Sequence, residues 1–233
     1  MEIKVQVAII AVLALVLSLS GCINYEQETF LNEDRSGHIN MHISVDPKAF
    51  LSNLFATAGG KSLIKEPLSK ATSSVKCDVK EEDVVKGFKQ GAVKNMSFRK
   101  EEESGIMHFY FSADFDDITA LYTDENRISI SEDKDGRVTY TERFSSSDTG
   151  TAGSGGTDAF RPELFEGYHF QYILHMPRNI VSANTDRVDK NTATWYIPMP
   201  DAMQAKDFTA TATIESQNKF LKWRNTVMKK KTL

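Results

Sequence analysis

Cysteine is nearly absent from this chain: two residues in 233, Cys22 and Cys77. A disulfide framework is excluded, and the core must come from apolar packing. Long apolar runs are equally rare. Only Val5 to Leu19, broken by Gln6 and Ser18, is continuous enough to matter. It falls short of the roughly 20 residues that a membrane-spanning helix needs. No HxH, HExxH, CxxC or G-x-S-x-G spacing occurs, so the common zinc and acyl-transfer signatures are missing. An overall excess of basic charge is also lacking, since the net charge is −4. That argues against a nucleic-acid partner.

What is present begins at the N-terminus. The apolar run has the length of a signal-peptide h-region and leads into Leu19-Ser20-Gly21-Cys22. An apolar residue, two small ones and a cysteine form the lipobox of bacterial lipoproteins. Cleavage is expected between Gly21 and Cys22, with lipid carried on the Cys22 thiol. Because one acyl chain binds a membrane only marginally, the two or three chains of such lipoproteins imply stable anchoring through diacylglyceryl-cysteine. Ile23 rather than Asp follows the cysteine. In a Gram-negative envelope this favours the outer membrane.

With Cys22 acylated, Cys77 is left unpaired, as a buried small hydrophobe or a free thiol. The rest of the chain, 40% hydrophobic overall and with 14 Phe and 7 Tyr in all, suffices for one well-packed domain. The expected organisation is a signal peptide over 1–21, a single domain over 22–216 and a basic amphipathic segment over 217–233.

Alternation with a period of two dominates the domain. Tyr25 to Asn32 and then Ile39, Met41, Ile43 and Val45 read as a hairpin around Glu33–Gly37. Val93 to Lys100 and Met107 to Phe115 read as a second. Ile128, Ile130, Val138 and Tyr140 flank the turn Asp133–Gly136 of a third. Three further strands are expected at Tyr168–Met176, Thr192–Met199 and Asp207–Glu215. Helices are expected after the Asp46 N-cap, through Ala58, and over Glu81–Gln90, with a helical turn at Asp116–Leu121. Clean alternation is the habit of antiparallel sheets with one wet face. The expected class is therefore α+β: an antiparallel sheet built of hairpins, with a few helices packed on one face. Ser145 to Asp158 has almost nothing to bury and reads as a flexible loop.

From Tyr25 to Ser216 the layout is similar to the LppM-like family of bacterial lipoproteins. The resemblance rests on the lipobox, the hairpin turn Asn32–Gly37 and the Phe115-Asp116-Asp117-Ile118 step after an aromatic strand. It continues in the run Tyr168-x-Phe-x-Tyr-x-Leu-x-Met-Pro177 and in Asn191-Thr192-Ala193-Thr194-Trp195. It implies an α+β domain with an apolar cavity for lipids or glycolipids. Family members are expected to end in a transmembrane helix, whereas this chain ends in a basic tail.

The candidate residues follow from these readings. Phe109, Phe111, Phe170, Tyr172 and Leu174 would wall an apolar ligand site, although any core needs such residues too. Phe220, Trp223, Lys229, Lys230 and Lys231 would let the tail lie in a membrane interface. His38 and His42 share one wet strand face, as do His169 and His175, but residues i and i+4 lie about 13 Å apart along a strand. They read as surface histidines rather than metal ligands. Asp133-Lys134-Asp135-Gly136 opens like a calcium loop and stops, so it reads as a turn. No catalytic residue, metal or cofactor is expected. The function implied is a non-enzymatic envelope lipoprotein binding a lipid or other apolar ligand. A protein-interaction module of an envelope complex is the alternative.

Overall fold

The computed structural model describes residues 23–46, 80–124, 127–145, 167–204 and 207–216. The expected signal segment, Cys77, the helix expected after Asp46, nearly all of the loop expected over Ser145–Asp158 and the basic segment expected over 217–233 lie outside them.

Eleven strands are described: β1 (Ile23–Leu31), β2 (Gly37–Val45), β3 (Val93–Glu103), β4 (Ile106–Phe115), β5 (Ile128–Glu132), β6 (Val138–Ser145), β7 (His169–His175), β8 (Ile180–Ala183), β9 (Val188–Asp189), β10 (Thr192–Pro198) and β11 (Asp207–Ile214). They form two sheets. One has seven strands in the order β3-β4-β2-β1-β7-β10-β9, and the other has four in the order β5-β6-β11-β8. Every adjacent pair is antiparallel except β1 with β7, which run parallel from Tyr25 and Phe170 to Phe30 and His175.

The hairpins obey local rules. β3 and β4 are joined through Ser104 (φ 55°) and Gly105 (φ 85°). Two successive positive φ values match the right-handed strand twist, which is why a glycine sits there. β1 and β2 meet at Gly37, where a Cβ would come within 1.9 Å of the Phe30 carbonyl oxygen and 2.6 Å of the Phe115 ring. Only glycine lets the strand end approach so closely.

One core lies between the sheets. Ile39, Phe111, Phe115, Tyr172, Leu174 and Trp195 from the larger sheet join Tyr140, Ala210, Ala212 and Ile214 from the smaller. Ala113, Ala193, Ala210 and Ala212 are fully buried, and these small residues leave room for the rings. Each fully buried Phe or Leu contributes about 1.5–3 kcal/mol relative to exposure. A smaller cluster gathers Val45 and Phe109 with Ile43, Phe98, Met107 and Tyr168.

This architecture overturns the α+β expectation. The described chain is mostly β, and a second sheet covers the core where helices were expected. Glu81–Gln90 forms only α1 (Glu81–Val85) before the chain turns at Gly87 and buries Phe88 between Phe111 and Tyr122. Asp116–Leu121 forms a 3-10 turn over Ile118–Ala120, capped by the Asp117 carboxylate accepting from the Thr119 N–H. α2 (Met199–Gln204) is likewise short. None of these covers a sheet face. No helix among the described residues is long and apolar enough to cross a membrane.

Candidate binding face

Alternation along each strand sends one set of side chains into the core and the other outward. The register of the seven-stranded sheet then aligns the outward set in rows. One row runs Arg99, Tyr110, His42, Glu26, Gln171, Tyr196, and the next row but one runs Lys94, Asp114, His38, Phe30, His175, Thr192. All five histidines of the chain, His38, His42, His108, His169 and His175, project from this outer face.

Two chains of polar contacts cross it. In the first, His38 Nδ1 lies 2.7 Å from Asp114 Oδ1 and its Nε2 lies 2.9 Å from Asn40 Oδ1. The Asn40 amide donates to Glu28 Oε2 at 3.4 Å, and Glu28 Oε1 accepts from His175 Nε2 at 2.7 Å. His175 Nδ1 is in turn 2.9 Å from Thr192 Oγ1. In the second, His42 Nδ1 lies 3.2 Å from Glu26 Oε2, while His42 Nε2 lies 3.1 Å from His108 Nδ1. The other Glu26 oxygen stands 3.7 Å from His169 Nε2.

Rings stand in stacks along the same face. Phe30 stacks on His175 with centroids 4.2 Å apart, His42 on Tyr110 at 4.5 Å, and His169 on Tyr196 at 4.7 Å. The Arg99 guanidinium lies 4.4 Å from the Tyr110 ring centroid. Between the rows runs a groove of about 390 Å³, bordered by Glu26, Glu28, Asn40, His42, Arg99 and Tyr110. At the edge of the face, β3 bulges at Asn95, which adopts φ 51° and aims its amide at Asp114 Oδ2 at 2.8 Å. Hydrogen bonds from Asn95 and then from His38 hold the Asp114 carboxyl below the usual carboxylate range.

A second polar group is sealed between the sheets. Glu142 on β6 is fully buried, accepts from the Tyr140 hydroxyl at 2.7 Å and lies 3.4 Å from Arg127 Nε. The Tyr140 and Tyr172 hydroxyls are 3.1 Å apart. Arg127 lies over the Tyr122 ring at 3.7 Å, the Tyr122 hydroxyl accepts from Gln27 at 3.3 Å, and the Tyr25 hydroxyl donates to Gln27 at 2.9 Å. Burial pushes the phenols of Tyr25, Tyr122, Tyr140 and Tyr172 well above the usual tyrosine range. The Glu142 charge adds to the rise at all four, and Arg127 opposes it at Tyr25 and Tyr122. These partners are shared between the two sheets, so the network clamps one to the other.

Of the residues singled out in the sequence, Phe109, Phe111, Tyr172 and Leu174 lie in the packed core. Phe170 is half-buried at the end of the sandwich, where it stacks on Tyr25 and meets Phe144 and Phe208 edge-on. The histidines come together across strands rather than along them, His42 with His108. Strand parity alone places them outward, but only the strand order makes β2 and β4 neighbours. Among the described residues no group of three or more His, Cys, Asp or Glu side chains is arranged to hold a metal ion. Asp133–Gly136 is a turn, with Asp133 Oδ1 accepting from the Asp135 and Arg137 N–H groups. Glu142 and Gln27 were missed, although parity from Tyr140 and Tyr25 points both inward.

No protein-family model matches this chain, and no curated protein matches it in sequence. Among solved structures it bears a weak structural resemblance to the NMR structure of the folded domain of the Mycobacterium tuberculosis LppM protein. The identity is 12%, the match covers 84% of this chain and 90% of that one, and the TM-score is 0.39. A likeness of that size leaves the functional reading to the residues themselves.

Proposed function

We propose that this chain is a lipoprotein of the bacterial envelope, cut between Gly21 and Cys22 and held on its membrane by acyl chains on Cys22, with a domain that binds rather than catalyses. The observation that carries the reading is a junction. β1 already includes Ile23, the residue after the lipobox cysteine, and lies inside the seven-stranded sheet between β2 and β7. Cleavage before Cys22 removes the apolar segment and leaves this strand whole. Cleavage further along would trim an interior strand of the larger sheet.

Binding is favoured over catalysis by how the outer face is built. Glu28, His175 and Thr192 do line up as carboxylate, imidazole and hydroxyl. Thr192 opens β10, however, and is held in ladders with both β7 and β9, so the backbone around it is committed to strand pairing rather than to stabilising an oxyanion. The stacked rings, carboxylates and amides instead present a broad hydrogen-bonding surface. A lipid or other apolar ligand would find its place elsewhere, at the end of the sandwich where Phe144, Phe170 and Phe208 are only half-buried.

Metabolic labelling with an alkyne palmitate, followed by membrane fractionation, tests the anchoring. The wild-type chain should label and sediment with membranes, and Cys22→Ala should do neither. Equal labelling of the two would overturn the reading. Native mass spectrometry after incubation with envelope lipids tests the apolar ligand. A stoichiometric lipid adduct that Phe170→Ala weakens supports it, and an unchanged apo mass overturns it.

A further inference from the structure

We propose that His42 and His108 together form a labile site for zinc or a similar divalent transition ion on the outer face of the seven-stranded sheet. The two rings project from neighbouring strands, β2 and β4, and present His42 Nε2 and His108 Nδ1 to each other at 3.1 Å. Two nitrogens bound to one tetrahedral zinc at about 2.0–2.1 Å stand about 3.4 Å apart. The pair therefore needs to open by only a few tenths of an ångström. A metal-ligating histidine also needs its second nitrogen engaged, so that the tautomer is set and the free lone pair faces the ion. His42 meets that requirement: Glu26 Oε2 accepts from Nδ1 at 3.2 Å, which leaves Nε2 as the lone-pair nitrogen. In the absence of metal, His108 Nδ1–H donates to that lone pair. To bind an ion, His108 takes the Nε2–H tautomer, its proton passing through solvent from Nδ1 to Nε2, so that Nδ1 offers a lone pair and the imidazole stays neutral.

Imidazole donors select zinc, copper or nickel over magnesium or calcium. The side chain of His42 is 30% exposed, so the ion can enter from solvent without the sheet opening. Two protein ligands leave the remaining positions to water, which makes the site exchangeable rather than structural. Glu26 acts as a positioning residue through His42. The site is independent of acylation at Cys22, so its failure would leave the anchoring proposal standing.

The test is zinc titration by isothermal calorimetry at pH 7.5 on the full chain in detergent, carrying Cys77→Ser and with remaining thiols blocked by N-ethylmaleimide. One zinc per chain should bind, and magnesium should not. His42→Ala and His108→Ala should each weaken zinc binding at least about tenfold, and Glu26→Gln about tenfold. His175→Ala, on the other chain of contacts, should leave it unchanged. In the unsubstituted chain, zinc should shift the imidazole 15N resonances of His42 and His108 and leave those of His38 and His175 in place, which does not depend on any variant folding. Zinc affinity unaltered by both His42→Ala and His108→Ala, or imidazole shifts confined to other histidines, would overturn the proposal.

Discussion

Tyr140 and Glu142, two residues apart on β6, both point into the core, and the tyrosine hydroxyl donates to the carboxylate at 2.7 Å. A carboxylate is not expected on the inner face of a strand, because taking its charge out of water costs several kcal/mol unless partners compensate. Here Tyr140 and Arg127 compensate, and Tyr172 extends the network to the opposite sheet.

Removing the carboxylate alone should therefore be severe. Glu142→Ala leaves Arg127 and the Tyr140 hydroxyl without this partner and should cost about 3–5 kcal/mol in urea unfolding. Glu142→Gln keeps an acceptor for Tyr140 and should cost roughly half as much. Equal losses for the two variants would show that the carboxylate charge, rather than volume or a neutral acceptor, is what Glu142 supplies.

Alkaline pH should expose the same network. The folded-state phenols of Tyr25, Tyr122, Tyr140 and Tyr172 are raised above their unfolded value. Their contribution to stability is thus full below an unfolded value of about 10 and is lost as pH rises from there toward the folded values. Phenolate absorbance at 295 nm should lag and then rise together with loss of the β-sheet circular dichroism signal. A smooth titration of these four phenols in an intact fold would contradict the burial described.

At the outer edge of the face, Asp114 should titrate below the ordinary aspartate range. Its folded value is depressed, so any stability it contributes is present above the ordinary carboxylate range and lost as pH falls through the depressed value. Asn95→Ala removes the leading cause and should move the Asp114 midpoint upward in a carboxyl 13C NMR titration. An unmoved midpoint would assign the depression to His38 instead.

Gly37→Ala should be destabilising despite its chemical modesty. The added methyl meets the Phe30 carbonyl oxygen at 1.9 Å, and backbone cannot yield as a flexible side chain does. A loss of about 1–3 kcal/mol is expected from such overpacking. Retention of wild-type stability would mean that the β1–β2 hairpin can open at this end without consequence.

The hairpins were legible because alternation and turn chemistry are local. Ile39, Met41, Ile43 and Val45 signal β2 without help from any neighbour, and Ser104-Gly105 closes the next hairpin by its own backbone preference. The second sheet was not legible for the opposite reason. β8 is four residues long and becomes a strand by pairing with β11, while β1 and β7 pair in parallel across more than a hundred residues. The histidine face follows the same division. Which way each ring points is a local fact, but that His42 meets His108 depends on strand order, which periodicity does not encode. Glu142 was legible in principle, since Val138, Tyr140, Glu142 and Phe144 share one parity, but its charge outweighed its position.

The measurement that tests the central claim most directly is the intact mass of the protein extracted from bacterial membranes. Anchoring at Cys22 requires a polypeptide whose first residue is Cys22, bearing a diacylglyceryl group with or without a third acyl chain. A chain that still carries Met1 to Gly21, or one that starts elsewhere and bears no lipid, would contradict it.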